Sequence, residues 1–230
     1  MAVLSAVAGA DQPVGRDQLR RILNILTAIA TAAALLTGSI AVPIIVRPFY
    51  YAHIEPLDLE EKSGLTHEEI VQAYDEVIDY CIGKTDEFSA GVLAFSEDGA
   101  SHFADCRRLF ILDFSVFALS LIVLLVCGLL GRRFRQRRRP GRGPAFWGAV
   151  GTSAALCAAG ALAALDFDRA FVVFHSIFFP GKTNWVFYTD ADPVILIMPE
   201  VFFRNCALLI LGTLVAVSAL IITADLKKKY

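Results

Sequence analysis

The chain has 230 residues, 56% of them hydrophobic, a mean hydropathy of +0.58 and a formal net charge of −2. Such a composition fits an integral membrane protein and excludes an ordinary soluble domain. The near-balanced charge gives no overall bias toward nucleic acid, and none is expected as a partner.

Residues 1–21 read as a cytoplasmic tail carrying Arg16, Arg20 and Arg21. The first span, 22–46, is rich in Ala, Leu and Thr. Its small residues Gly38, Ser39 and Ala41 run into Pro43 rather than a soluble domain, so it reads as a retained anchor, not a cleaved signal. Residues 47–108 form the first part of an extracytoplasmic head, with Tyr50 and Tyr51 marking the interface. Within it, Thr66 and Glu69 form a capping box that predicts a helix to about Cys81, with Ile70, Tyr74, Val77, Ile78 and Cys81 on its apolar face. His67-Glu68-Glu69 resembles the start of a zinc-protease motif, but the second histidine would fall at Val71, which excludes that reading. His53, close to Glu55, reads as a loop histidine.

A turn at Ser96–Gly99 precedes His102 and Asp105, which share a helix face at a spacing of three. A carboxylate there is expected to orient the imidazole. The helix runs on into the second span, 109–131, with Asp113 in its first turn. Residues 132–144 are a basic loop, RRFRQRRRPGR plus its flank, with seven arginines between Arg132 and Arg142. The run reads as a topology anchor beside anionic lipid rather than a nucleic-acid site. The third span, 145–165, is dense in Gly and Ala and predicts close helix packing. Residues 166–205 form the second part of the head, 206–225 the fourth span, and 226–230 a cytoplasmic tail with Lys227, Lys228 and Lys229. The bias of Lys and Arg puts both termini in the cytoplasm and both long loops outside. The fold class is thus mainly α: four transmembrane helices of about 20 residues and a small extracytoplasmic head, helical with room for a few short strands. Cys81 and Cys106 lie outside, where a disulfide could persist, but spacing alone does not pair them.

The second head segment holds the densest signal. Phe171, Phe174, His175, Phe178 and Phe179 recur on one helical face until Pro180-Gly181 breaks it. Trp185, Phe187 and Tyr188 follow, residues favoured at a membrane–water boundary. Asp190–Pro193 reads as a turn, and Val194–Met198 as a short strand or an interfacial segment. Arg204, at the outer start of the fourth span, is placed either to hold a lipid phosphate or substrate carbonyl, or to snorkel to headgroups. Of the outer histidines, only His102 and His175 have a membrane-proximal setting that is aromatic or acid-paired. One can serve as a base and the other as a donor to developing negative charge. No serine lies in GxSxG and no cysteine in a recognised nucleophile motif, so for lipid chemistry the nucleophile is expected to come from the substrate.

FSEDGASHFADCRRLF around His102 and FHSIFFPGKTNWVFYTDADPVILIMPEVFF around His175 resemble the bacterial lipoprotein intramolecular transacylases. The four-span layout with one histidine in each outer loop is similar too. The resemblance implies an enzyme that moves the sn-2 acyl chain of a diacylglyceryl-cysteine lipoprotein to the amine of its N-terminal cysteine. The product is a lyso-form lipoprotein. It implies His102 and His175 as the catalytic pair. Asp105 is expected to orient His102 as the base, while His175 bonds the oxyanion; the roles could be exchanged. Trp185, Tyr188, Phe178 and Arg204 are expected to bind substrate. No cofactor or metal is implied. The partners are lipoproteins and membrane lipids, the expected state is a monomer, and the setting is a bacterial cell membrane with the site at its outer leaflet. The alternative is a non-catalytic membrane sensor or envelope assembly protein with a ligand-binding outer head. A haem or metal protein has thin support from two histidines without a cysteine or carboxylate cluster.

Overall fold

The computed structural model describes residues 14–133 and 141–227; the N-terminal tail, most of the arginine run, and Lys228 and Lys229 are not among them. The described residues form nine helices and no strand. Four are long and apolar enough to cross a membrane: α1 (Val14–Ile45), α5 (Glu97–Arg133), α6 (Pro144–Ala163) and α9 (Glu200–Leu226). The five others are short: α2 (Arg47–Tyr51), α3 (Leu59–Ser63), α4 (His67–Cys81), α7 (Phe167–Phe178) and α8 (Val194–Ile197).

Helix α1 packs against α5, α6 and α9, and α6 also packs against α9. Small residues set the approach. A Cβ on Gly148 would meet the Ala28 carbonyl oxygen at 2.5 Å, and one on Gly38 would meet the Phe117 ring at 2.7 Å. Leu35, Ala149 and Leu214 are buried where α1, α6 and α9 meet. The outward faces are the reverse: Ile29, Leu125 and Leu220 are each more than 60% exposed. Broad apolar exposure on helices whose backbone bonds are internally satisfied suits a lipid surround.

Helix α5 has 37 residues. At ~1.5 Å per residue it is ~55 Å long, well beyond a ~30 Å hydrocarbon core. Its residues Phe103 and Cys106 pack with the core around Tyr50 and Tyr74, so its N-terminal part belongs with the head. The other helices obey the same logic: each expected span is present, and α1 and α9 extend past the expected limits.

The head has its own core. Tyr50 stacks on Tyr74 at 3.6 Å and donates its hydroxyl to the Ile197 carbonyl at 2.8 Å. Ile54, Leu59, Ile70, Val77, Val194 and Phe202 close around them. The capping box forms as expected: Thr66 Oγ1 accepts from the Glu69 amide, and Glu69 accepts from the Thr66 amide. Arg47 pairs with Asp75 and Asp79 on α4, which ties the end of α1 to the head.

Three open points are answered. The head contains no strand among the described residues, and Val194–Ile197 forms α8, because the turn at Pro193 starts a helical turn rather than an extended run. Cys81 and Cys106 are both free: the Cys81 thiol is directed at the Phe103 carbonyl instead. The aromatic stripe of α7, which the pattern puts on one helical face, divides between buried and exposed rows. His175 and Phe179 are buried and Phe171 is half-buried, but Phe174 and Phe178 are 47% and 49% exposed, as are Val172, Val173 and Ile177 on the same helix. Only the i, i+4, i+8 row faces protein; the rest of this short helix presents apolar side chains outward, continuous with the lipid-facing surface.

Candidate active site

Helices α5 and α7 bring His102 and His175 together, with ring centroids 5.9 Å apart and planes inclined by 32°. Both are buried, at 7% and 6% exposure. Neither helix could hold this geometry alone, and the loop between α7 and α8 supplies the clamp. Asp105 on α5 accepts from Lys182 and from Asn184 Nδ2 at 3.3 Å, and Asn184 also bonds Ser101. At the start of α5, Asp192 accepts from the Ser96 amide and hydroxyl, both at 2.8 Å, while Ser96 Oγ caps the Gly99 amide. A buried carboxylate at a helix N-terminus satisfies orphan donors and complements the dipole.

Between these two anchors the loop lays aromatic rings on the histidines. Trp185 stacks on His175 at 4.4 Å and 26°. Phe187 meets His102 edge-on at 5.4 Å. Phe179 touches both imidazoles, at 4.9 Å from His102 and 5.6 Å from His175. Phe171 lies 4.3 Å from His175 and also touches Phe203 at the start of α9.

The two rings have different hydrogen-bond surroundings. His175 Nδ1 lies 2.7 Å from the Phe171 carbonyl oxygen. A carbonyl only accepts, so Nδ1 carries the ring proton, and Nε2 of the neutral ring carries the lone pair. His102 Nε2 lies 3.5 Å from the Cys106 thiol, and its Nδ1 is buried with no hydrogen-bond partner among the described residues. Burial lowers both histidines below the ordinary range; His102 is pushed down to about 4, helped by the neighbouring His175 and opposed by Asp105. Both rings are therefore neutral at pH 7.

Asp105 does not play the expected part. It makes no hydrogen bond to His102; its oxygens are taken by Lys182, Asn184 and Arg108. Burial would raise its pKa, but the bonds from Lys182 and Asn184 outweigh burial and hold it below the usual carboxylate range. Its structural work is to fasten the loop, because the cation brought in by that loop is a stronger partner than a neutral imidazole.

Trp185, expected to bind substrate, lies against His175. Phe178 and Tyr188 lie on the same two segments but point outward, Tyr188 at 67% exposure. Arg204 is exposed on α9; its charge acts on Glu200, and it makes no hydrogen bond or ring contact with either histidine. Sequence reasoning gave Lys182 and Asn184 no role, and read Asp192 only as part of a turn, Phe187 as an interfacial ring and Cys106 as a possible disulfide partner. The one signal, a lone lysine in a loop otherwise poor in cations, does not by itself point to Asp105. Among the described residues no cluster of three or more His, Cys, Asp or Glu could hold a metal ion.

Two comparisons bear on this site. Solved structures of the membrane-integral lipoprotein intramolecular transacylase Lit from Bacillus cereus share the fold. One matches at a TM-score of 0.82 and 23% identity, covering 90% of this chain and 94% of that one. A variant of the same enzyme with a histidine changed to alanine matches at 0.77 and 22%, covering 92% and 94%. A search of curated proteins finds no match. The family model for the lipoprotein intramolecular transacylase Lit matches residues 25–203, which takes in both histidines and both loop anchors, and the chain belongs to that family.

Proposed function

We propose that this transacylase moves the sn-2 acyl chain of a diacylglyceryl-cysteine lipoprotein from the glycerol oxygen to the α-amine of the same cysteine. The observation that carries the reading is the convergence of His102 and His175, buried side by side in an aromatic enclosure that borders an exposed apolar surface. Two neutral imidazoles at a lipid boundary suit an acyl transfer whose nucleophile and electrophile both arrive on the substrate.

The connectivity sets the mechanism. Amine nitrogen, Cα, Cβ, sulfur, two glycerol carbons, ester oxygen and carbonyl carbon close a ring of eight atoms in the transition state. The reacting groups are already tethered, so the protein needs only to hold the folded form, which supplies much of the rate. As the N–C bond forms, the nitrogen must lose a proton; as the C–O bond breaks, the glycerol oxygen must gain one. His175 Nε2 takes the first and returns it to the second, because its Nδ1 proton is committed to the Phe171 carbonyl. His102 donates from its unpartnered Nδ1 to the oxygen that becomes negative. The bonding of the two rings thus favours the exchanged assignment over His102 as the base.

Trp185 holds the His175 ring. Phe178, Tyr188 and the outward face of α7 contact the acyl chains, and Arg204 holds a headgroup phosphate or substrate carbonyl from the edge. The enzyme acts as a monomer, both termini lie in the cytoplasm, and the site faces the outer leaflet. The charge bias toward the end of the bundle away from the head supports that orientation.

The test is mass spectrometry of a lipoprotein N-terminal peptide from cells that make only diacylglyceryl lipoproteins and express this chain. One acyl chain should move to nitrogen without a change in total mass, and His102→Ala or His175→Ala should abolish the move. An unchanged peptide beside well-expressed protein overturns the function, and a shift that survives loss of both histidines overturns the mechanism.

A further inference from the structure

Cys106 lies one helical turn below His102 on the same face of α5, with its sulfur 3.5 Å from His102 Nε2. Sequence reading gave it no task beyond a disulfide, which the free thiols at Cys81 and Cys106 do not form. The His102 ring is 93% removed from solvent by its 7% exposure, walled by Phe103, Phe179 and Phe187, so its nitrogens must find partners locally or stay unpaired. The Cys106 sulfur is that one partner among the described residues, and Nδ1 has none.

We propose that Cys106 is a positioning residue: its thiol donates to His102 Nε2, fixes the lone pair there, and thereby puts the ring proton on the unpartnered Nδ1, the donor the reaction uses. The thiol proton has no other acceptor among the described residues. Burial, then the nearby Asp105 charge, pushes the thiol up to about 12, so it stays a donor and not a thiolate nucleophile. Two unlike fasteners then hold both histidines in the Nδ1–H tautomer: a carbonyl acceptor on His175 Nδ1 and a thiol donor on His102 Nε2. Because the fasteners occupy different nitrogens, the ones left over are unlike: a lone pair on His175 Nε2 and a proton on His102 Nδ1, the one base and one donor the reaction needs.

The inference rests on His102 acting as the oxyanion donor, and its test does not depend on that activity being present. Imidazole 15N NMR of the full-length protein in detergent micelles reads the tautomer of His102 directly, with His102→Gln assigning the signal. The expected result is a protonated Nδ1 and a hydrogen-bonded, unprotonated Nε2. A proton on Nε2 in the unsubstituted protein overturns the inference, whether or not the enzyme turns over. Kinetics give the second arm. Cys106→Ala should lower kcat roughly tenfold, the loss of about one hydrogen bond, with KM little changed, and should mix the two His102 tautomers. Cys106→Ser keeps a donor and should restore kcat to within about threefold. An unchanged kcat and tautomer in Cys106→Ala, or an acyl thioester trapped on Cys106, overturns it.

Discussion

Asp105 and Lys182 form an ion pair across 77 positions of sequence, and that pair binds the loop after α7 to the helix that carries His102. The carboxylate side chain is 10% exposed and the ammonium 43%, so the two ends are not equivalent. Removing the lysine leaves Asp105 with Asn184 and Arg108, a loss of about 1 kcal/mol as for a partly exposed pair. Removing the carboxylate strands Lys182, Asn184 and the end of the loop together, at about 2–3 kcal/mol. Thermal unfolding in detergent should rank Asp105→Ala below Lys182→Ala, and both below the parent. Both should lower kcat, since Trp185 and Phe187 ride on this loop. Equal melting temperatures for the two variants would contradict the assignment of Asp105 as the hub.

The second anchor gives a sharper test. A Cβ on Gly99 would sit 2.1 Å from Asp192 Oδ1, which is bonded to the Ser96 amide. Gly99→Ala must push the carboxylate off the helix start, at a cost of about 1–3 kcal/mol for a lost cap and a strained loop. Asp192→Ala loses the same bonds without the clash. The double variant should therefore be far less destabilised than the sum of the singles, because once the carboxylate is gone the alanine has room. A double-mutant cycle on unfolding temperature reads this directly, and simple additivity would exclude the contact as the cause.

These anchors explain what was and was not readable in the chain. The spans, the capping box at Thr66 and the helix to Cys81 follow from local periodicity and capping chemistry, and the structure has them. The meeting of His102 with His175 was legible through their shared membrane-proximal setting and through the family resemblance of the two segments that carry them. The partners of Asp105 were not, because three residues along α5 is a plausible distance for an imidazole, and a lysine 77 positions away leaves no local trace. Likewise the stripe on α7 shows in the sequence as one apolar helical face, with no mark of which row is buried. Hydrophobic periodicity reports an apolar face, but at a lipid boundary both the buried row at His175 and the exposed row at Phe174 and Phe178 are apolar. Pattern alone does not separate core from lipid there.

Aromatic residues around the site should divide by what they touch. Trp185 stacks on His175 at 4.4 Å, a contact worth about 0.5–1.5 kcal/mol. Trp185→Ala should lower kcat about three- to tenfold and Trp185→Phe should recover most of it. Phe178 and Tyr188 project outward, so Phe178→Ala and Tyr188→Ala should raise KM for lipid substrate with kcat held. Initial rates over a range of substrate in mixed micelles separate the two outcomes. A kcat defect in Tyr188→Ala as large as that in Trp185→Ala would contradict this division.

The pH response follows from the neutral pair. Burial lowers His102 to about 4 and holds His175 below its ordinary value, so both imidazoles are deprotonated over the range in which the substrate amine titrates. That amine has an ordinary pKa of ~7.7–8. Activity should rise with pH between about 6 and 8 as that amine loses its proton, and an analogue with a less basic amine should carry the limb down with it. A limb that stays put when the amine is changed would return the titration to the enzyme. Stability has its own window. An unfolded His102 takes up a proton near pH 6.5 while the folded one does so only near 4, so the fold loses stability as pH falls through that interval and keeps it above. Replacing His102 with a residue that does not titrate, as in His102→Gln, should flatten the acid side of the melting-temperature profile there. The same substitution should abolish transfer at every pH, which separates the charge of the ring from its place in the reaction.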